Sequence, residues 1–84
     1  MSGLVLANIY TQEGNCNTTV SITFPWRPRK TVITNDSSLS DLTVTIKGYN
    51  LTLKPTETLT ATLAMSSLTL TSGSSIPYRV WAFG

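Results

Sequence analysis

The chain has 84 residues, with six lysines and arginines, four aspartates and glutamates, and a formal net charge of +2. It contains one cysteine and no histidine, which excludes an internal disulfide, Ser-His catalysis and a zinc cage of thiolates and imidazoles. The length predicts a single domain spanning residues 1–84. We expect no cofactor and no metal, and the small net charge argues against a nucleic-acid partner.

The sequence also bears on membranes and secretion. No apolar run approaches the roughly 20 residues of a membrane span. The first ten residues, MSGLVLANIY, lack the basic start and long apolar core of a secretory signal. We therefore expect no membrane partner and synthesis in a cytoplasm, which agrees with a single free thiol.

Alternation of apolar and polar residues, interrupted by turn-forming residues, predicts about eight short strands. The clearest lies within residues 38–47, whose LTVTIK alternates strictly. Residues 11–18, TQEGNCNT, are predicted to form a polar loop. In chain order, the predicted strands are residues 4–10, 19–24, 31–35, 38–47, 51–54, 57–64, 68–72 and 78–83.

Short strands at regular spacing, without a sustained helical period, predict an all-β fold. We expect an antiparallel β-sandwich, jelly-roll or immunoglobulin-like, with about 7–8 strands. A domain of this size draws roughly 3–5 kcal/mol from its core. Since disulfides and metals are excluded as further sources of stability, we expect the chain to be stabilised by forming a homo-oligomer or by docking on a larger assembly.

Candidates for catalysis are few. Cys16 falls in the predicted polar loop with no base nearby, so we interpret it as a passive thiol. The four carboxylates all fall at predicted turns, where acidic residues are ordinary, and do not indicate a glycosidase pair. The five glycines are dispersed and form no phosphate-binding loop. We predict no catalytic residues and a protein that is not an enzyme.

The segment PWRPRK, residues 25–30, allows three interpretations. It could be a basic, aromatic patch for nucleic acid, with a base stacked on Trp26. It could be a kinked crossing between sheets, with Trp26 packed at the rim and the cations solvated. It could also be an interface anchor, because Trp and Arg are favoured at protein contacts. Three cations are too few for strong backbone binding, which favours the last two interpretations.

The last predicted strand places Arg79, Trp81 and Phe83 on the face opposite Tyr78. Large side chains on both faces indicate that one face contacts something other than water. The aromatic residues Tyr78, Trp81 and Phe83 could instead form a sugar-stacking platform, although a core or subunit-interface role is more common in so small a fold.

Several segments resemble small β-sandwich virion proteins of tailed bacteriophages: VITND at 32–36, DLTVTIKG at 41–48, LTLKPTET at 51–58 and the ending YRVWAFG. In those proteins a strand ends in Asn-Asp, a Leu-Thr strand follows, and a Leu-Lys-Pro-x-Glu turn leads on. The resemblance implies a capsid decoration, or cement, protein on the virion surface. It also implies the major capsid protein as partner and a homotrimer as the favoured assembly.

The first functional hypothesis is therefore a structural virion protein that stabilises the capsid shell. The alternatives are a glycan-binding adhesion module, with Trp26, Tyr78 and Trp81 as stacking residues, and a tail or head-tail joint protein. The predicted contact residues are Leu4, Leu6, Ile9, Trp26, Arg27, Arg29, Arg79, Trp81 and Phe83.

Overall fold

The computed structural model describes residues 9–84, which form eight β-strands. This part of the chain contains no helix of the length and apolarity needed to cross a membrane. The strands are β1 (Ile9–Cys16), β2 (Thr19–Thr23), β3 (Lys30–Asn35), β4 (Leu42–Ile46), β5 (Tyr49–Leu53), β6 (Thr58–Ala61), β7 (Ser67–Thr71) and β8 (Ile76–Phe83).

The strands form two four-stranded sheets. The first sheet has the order β1-β8-β3-β6 and the second the order β2-β7-β4-β5, with antiparallel neighbours throughout. The pairings are nested: β1 with β8, β2 with β7, β3 with β6 and β4 with β5. This is the pairing of a jelly roll, not of an immunoglobulin-like sandwich. The all-β antiparallel prediction is confirmed, and of its two alternatives the jelly roll is the one observed.

Strand alternation fills the space between the sheets with aliphatic side chains. In β4 and β8 every second residue points inward and is buried. The apolar residues are close-packed there, which is the main source of folding free energy in a fold without covalent supplements. The large aliphatic side chains that are fully buried are Ile22, Ile33, Leu42, Val44, Leu70, Ile76 and Val80.

The first strand differs from its prediction. The loop predicted at residues 11–18 is mostly strand, because every residue of β1 has a partner in β8, from Ile9 opposite Phe83 to Cys16 opposite Ile76. This long pairing satisfies the backbone groups and outweighs the turn preference of the Gly-Asn pair within it. The strand predicted at residues 4–10 lies almost entirely outside the described residues.

Asn35, predicted to begin a turn, is the last residue of β3 and is fully buried. Its side-chain amide donates to the carbonyl oxygens of Ser40 at 2.9 Å and Leu53 at 3.0 Å. Its Oδ1 accepts a hydrogen bond from the Ser37 backbone N–H at 2.9 Å. Because Leu53 belongs to the second sheet, this one side chain joins the two sheets and shapes the turn after β3.

We predict that Asn35→Ala lowers the free energy of unfolding by about 3 kcal/mol, since it leaves buried backbone groups without partners. Urea denaturation followed by fluorescence measures the change. Asn50→Ala is the matched control: Asn50 is exposed and accepts a hydrogen bond from the Thr45 hydroxyl at 2.7 Å. Asn50→Ala should lower the free energy of unfolding by less than about 0.5 kcal/mol. Equal losses of unfolding free energy in the two variants would show that the buried hydrogen bonds of Asn35 contribute no more than an exposed one.

Candidate functional site

The two packed sheets form a flattened barrel, and its ends are made by the turns between strands. Four of the six cations lie at one of these ends, which we call the basic end. The turns after β2, β4 and β6 all lie there, because alternate strands of an antiparallel chain run in the same direction. No aspartate or glutamate of residues 9–84 lies at this end; all four belong to β1 or to the turns at the opposite end. The cations of the basic end are Arg27, Arg29, Lys30 and Lys47.

The segment between β2 and β3 crosses from the second sheet to the first and is fixed at both ends. The backbone N–H of Phe24 donates to the Ser66 carbonyl at 3.0 Å, and that of Arg29 donates to the Phe83 carbonyl at 2.8 Å. Between them, Pro28 is fully buried and Trp26 is half-buried against the core. The loop is therefore held in place while its arginines remain exposed.

Lys47 is positioned by a tight hairpin. It and Gly48 are the two residues of the β4–β5 turn, with φ angles of 51° and 84°. Two successive positive φ angles are those of a type I′ turn, which matches the twist of the paired strands and favours Gly at its second position. The geometry places the Lys47 side chain at the tip of the basic end.

A pocket of about 250 Å³ opens between these two elements and the β6–β7 loop. Arg27 and Lys47 line it together with Ser66 and Ser67. Neither cation has an ion-pair partner within the described part of the chain. The pocket thus combines two uncompensated positive charges with two hydroxyl donors, which are the groups that bind phosphate or carboxylate oxygens. Its lining is completed by Ala64 and the buried Met65.

Sequence reasoning missed Lys47, Ser66 and Ser67. A signal for them was present, because an antiparallel succession of eight strands brings the second, fourth and sixth turns to one end. The predicted strand order therefore already grouped these residues with Arg27.

The two other cations of the site are oriented differently. Arg29 is exposed at the end of the crossing loop. Lys30 places its Nζ 5.9 Å from the centre of the Phe83 ring, a cation–π contact that keeps this charge beside β8. Both raise the positive potential at the basic end without lining the pocket.

Arg79 belongs to a separate feature. Its Nε donates to Oδ2 of Asp36 at 2.8 Å and its Nη2 to Oδ1 at 3.0 Å, a bidentate ion pair. The hydrogen bond to Asp36 and the negative charge of that carboxylate raise the pKa of Arg79. Since its charge is compensated, this arginine is not free to bind an anion. It borders a depression of about 230 Å³ on the outer face of the first sheet, beside Trp81.

The structure distributes the predicted contact residues over two surfaces. Ile9, Phe83 and the arginines of the crossing loop meet at the basic end, since Ile9 pairs with Phe83. Arg79 and Trp81 lie on the outer face of the first sheet, where Trp81 is 45% exposed. Leu4 and Leu6 lie outside the described residues. One continuous contact surface is therefore not formed by the described members of the set.

The sugar-stacking platform is not formed either. Tyr78 points into the core with only 4% exposure, because neighbouring residues of a strand point to opposite faces. Its hydroxyl accepts a hydrogen bond from Gln12 Nε2 at 2.9 Å. Trp81 and Phe83 therefore remain on the opposite face of β8 without Tyr78.

Cys16, interpreted from the sequence as a passive thiol in a polar loop, is the last residue of β1 and is fully buried. Its Sγ lies 3.5 Å from the Leu70 carbonyl oxygen. No group of three or more His, Cys, Asp or Glu side chains in residues 9–84 could hold a metal ion.

Comparisons with known proteins agree on the fold. No protein-family model and no curated protein sequence matches the chain. The EutQ protein of Salmonella typhimurium LT2, named for ethanolamine utilization, matches with a TM-score of 0.60 and 13% identity, over 89% of this chain and 57% of that one. A cupin-2 domain protein from Shewanella frigidimarina matches with a TM-score of 0.64 and 8% identity, over 96% and 76% of the two chains.

A de novo designed double-stranded β-helix also matches, with a TM-score of 0.56 and 15% identity, over 88% of this chain and 96% of the design. The fold is a double-stranded β-helix. At these identities the likeness extends to the fold alone, and the chain spans little more than half the length of the Salmonella protein.

The resemblance to phage virion proteins is wrong, because the structural neighbours are cupin-domain and designed β-helix proteins. The capsid-decoration and head-tail hypotheses fall with it, and the homotrimer, the capsid partner and the virion location lose their basis. The physical source of the error is that Leu-Thr alternation and Lys-Pro turns suit any small, Thr-rich antiparallel sheet. The glycan-binding alternative loses Tyr78 as a stacking residue, because that side chain points inward.

We predict that Cys16 in the folded protein resists a thiol reagent such as Ellman's reagent, since modification of a fully buried thiol requires the chain to open. In concentrated guanidinium the same thiol should react at once, with one equivalent per chain. Rapid, complete labelling under native conditions would contradict the buried position.

Proposed function

We propose that this chain is a binding domain that takes a small phosphorylated molecule in the pocket at the basic end. The observation that carries the proposal is the pocket of about 250 Å³ that Arg27 and Lys47 line together with two serines. The four uncompensated cations at this end would concentrate anions near the pocket before they bind.

The size of the pocket supports a small ligand. Pockets for drug-sized molecules enclose roughly 300–1,000 Å³, so this one suits a single anionic head group with little attached to it. Nucleic acid is less well supported, since four cations neutralise few phosphates and affinity for a polyanion depends on many. Trp26, the candidate for base stacking, is also half-buried against the core.

The composition of the core indicates that a ligand would bind outside it. It is packed with fully buried aliphatic side chains such as Ile33, Val44 and Val80, which offer no polar group to a ligand. A ligand would therefore bind at the end of the barrel rather than between its sheets.

We also propose that binding occurs without catalysis. The serine hydroxyls of the pocket would need a general base to become nucleophiles, and the lining contains no histidine or carboxylate to take that role. Arg27 and Lys47 would act as electrostatic and hydrogen-bonding partners of phosphate oxygens, the arginine through two parallel N–H donors.

Isothermal titration calorimetry with pyrophosphate tests the proposal. We expect binding by the unmodified chain, about tenfold weaker binding by Arg27→Ala or Lys47→Ala, and partial recovery in Arg27→Lys; tenfold corresponds to about 1.4 kcal/mol. Binding should weaken as salt concentration rises, because the pocket is open to solvent.

Lys54→Ala is the matched control, since Lys54 is an exposed lysine at the opposite end of the barrel. Its affinity for pyrophosphate should equal that of the unmodified chain. The proposal is wrong if pyrophosphate does not bind, or if removing Lys54 weakens binding as much as removing Lys47.

A further inference from the structure

A second surface feature lies along the side of the barrel, between the edge strand of each sheet. We call it the β5–β6 groove; it encloses about 620 Å³. Its apolar lining includes Ile46, Tyr49, Leu51, Leu59 and Leu63. Tyr49 is 75% exposed, Leu51 42% and Leu63 45%, so the groove holds a contiguous patch of large apolar side chains in contact with water. Contiguous exposed apolar surface of this kind is typical of an interaction site.

Both walls of the groove are open sheet edges. β5 is the last strand of the second sheet and β6 the last strand of the first, so each has one side without a strand partner among the described residues. Neither strand carries a charged side chain that would discourage pairing with another chain. The groove therefore offers apolar contact and unpaired backbone groups together.

The distribution of charge indicates what covers the groove. The basic end carries four cations and no aspartate or glutamate, whereas the rest of the molecule carries two cations, Lys54 and Arg79, and all four aspartates and glutamates. The groove starts at the basic end, where Lys47 lines it, and runs along β5 and β6 towards the other end. A partner lying against the groove with the opposite polarity would be complementary in charge.

A second copy of the chain has that polarity when it is turned end over end. We propose that the β5–β6 groove is the contact surface between two copies arranged antiparallel about a two-fold axis. Each copy then places its Leu51 and Leu63 against the apolar lining of the other. The basic end of each copy then lies towards the carboxylate-bearing end of the other, as the two-fold symmetry requires.

The charge polarity favours a dimer over the trimer expected from the sequence. A three-fold axis along the barrels would place three basic ends side by side, with twelve cations and no aspartate or glutamate between them. In the antiparallel dimer the basic ends point in opposite directions. Arg27 lines the pocket but not the groove, so a change at Arg27 tests ligand binding without altering the proposed contact surface.

Light scattering coupled to size-exclusion chromatography tests the dimer in the full chain. At about 50 µM we expect a mass twice that of the 9.1 kDa chain. Leu51→Lys should shift the protein to monomer, with a dissociation constant raised at least tenfold, because the new charge would be buried against an apolar surface. Tyr49→Lys, at a more exposed position, provides a second variant in which folding is not at risk.

Leu39→Lys is the matched control, since Leu39 is 89% exposed in the turn between β3 and β4, away from the groove. It should remain a dimer. Leu51→Lys should still bind pyrophosphate, and Arg27→Ala should remain a dimer, so the two proposals fail separately.

Residues 1–8 are the competing occupant of the groove, and a chain beginning at Ile9 distinguishes them. A dimer formed by that shorter chain supports the proposal, as does loss of the dimer in both lysine variants. The proposal is overturned if the full chain is a monomer or trimer, if the lysine variants stay dimeric, or if removing residues 1–8 abolishes the dimer.

Discussion

β8 pairs with β1 on one side and with β3 on the other, and the first sheet depends on these two ladders. Its inward residues, including Val80, form part of the core, while its outward residues form the outer face of the sheet. Its Phe83 carbonyl also accepts the hydrogen bond that fixes the crossing loop before β3. The candidate anion pocket is therefore positioned by the same strand that holds the sheet together.

The sequence predicts those parts of the fold that depend on local alternation. Residues 42–46 and 78–83 alternate so regularly that both the strand and its inward face follow from the pattern. β1 could not be predicted in this way, because its polar residues form a strand only through pairing with β8, some 70 positions along the chain. Asn35 shows the same limit, since one of its hydrogen-bond partners, the Leu53 carbonyl, belongs to the other sheet.

The candidate site was predictable in part. Arg27 and Arg29 stand out in the sequence because they flank a proline beside a tryptophan. Lys47 and the two serines do not stand out, and only the succession of strands brings them to the same end. Short motifs proved a weaker guide than this order, since the turns that suggested virion proteins occur in unrelated antiparallel sheets.

In this double-stranded β-helix, the residues that stabilise the fold are separate from those available for recognition. Aliphatic side chains occupy the space between the sheets, so the polar groups available for recognition lie at the ends and along the edges. Few charges are present, and their separation along the barrel gives the molecule a strong polarity despite a net charge of only +2. Separated charges of this kind affect the orientation in which partners associate more than they affect the affinity.

The nested strand pairing also affects how the chain acquires its structure during translation. β1 cannot complete its ladder until residues 76–83 have left the ribosome, so the earlier strands wait with unpaired edges. Closing so long a loop costs chain entropy before any contact compensates for it, and domains dominated by distant pairings fold in milliseconds to seconds. We therefore expect the emergence of β8, rather than the growth of any early segment, to set the moment at which this domain folds.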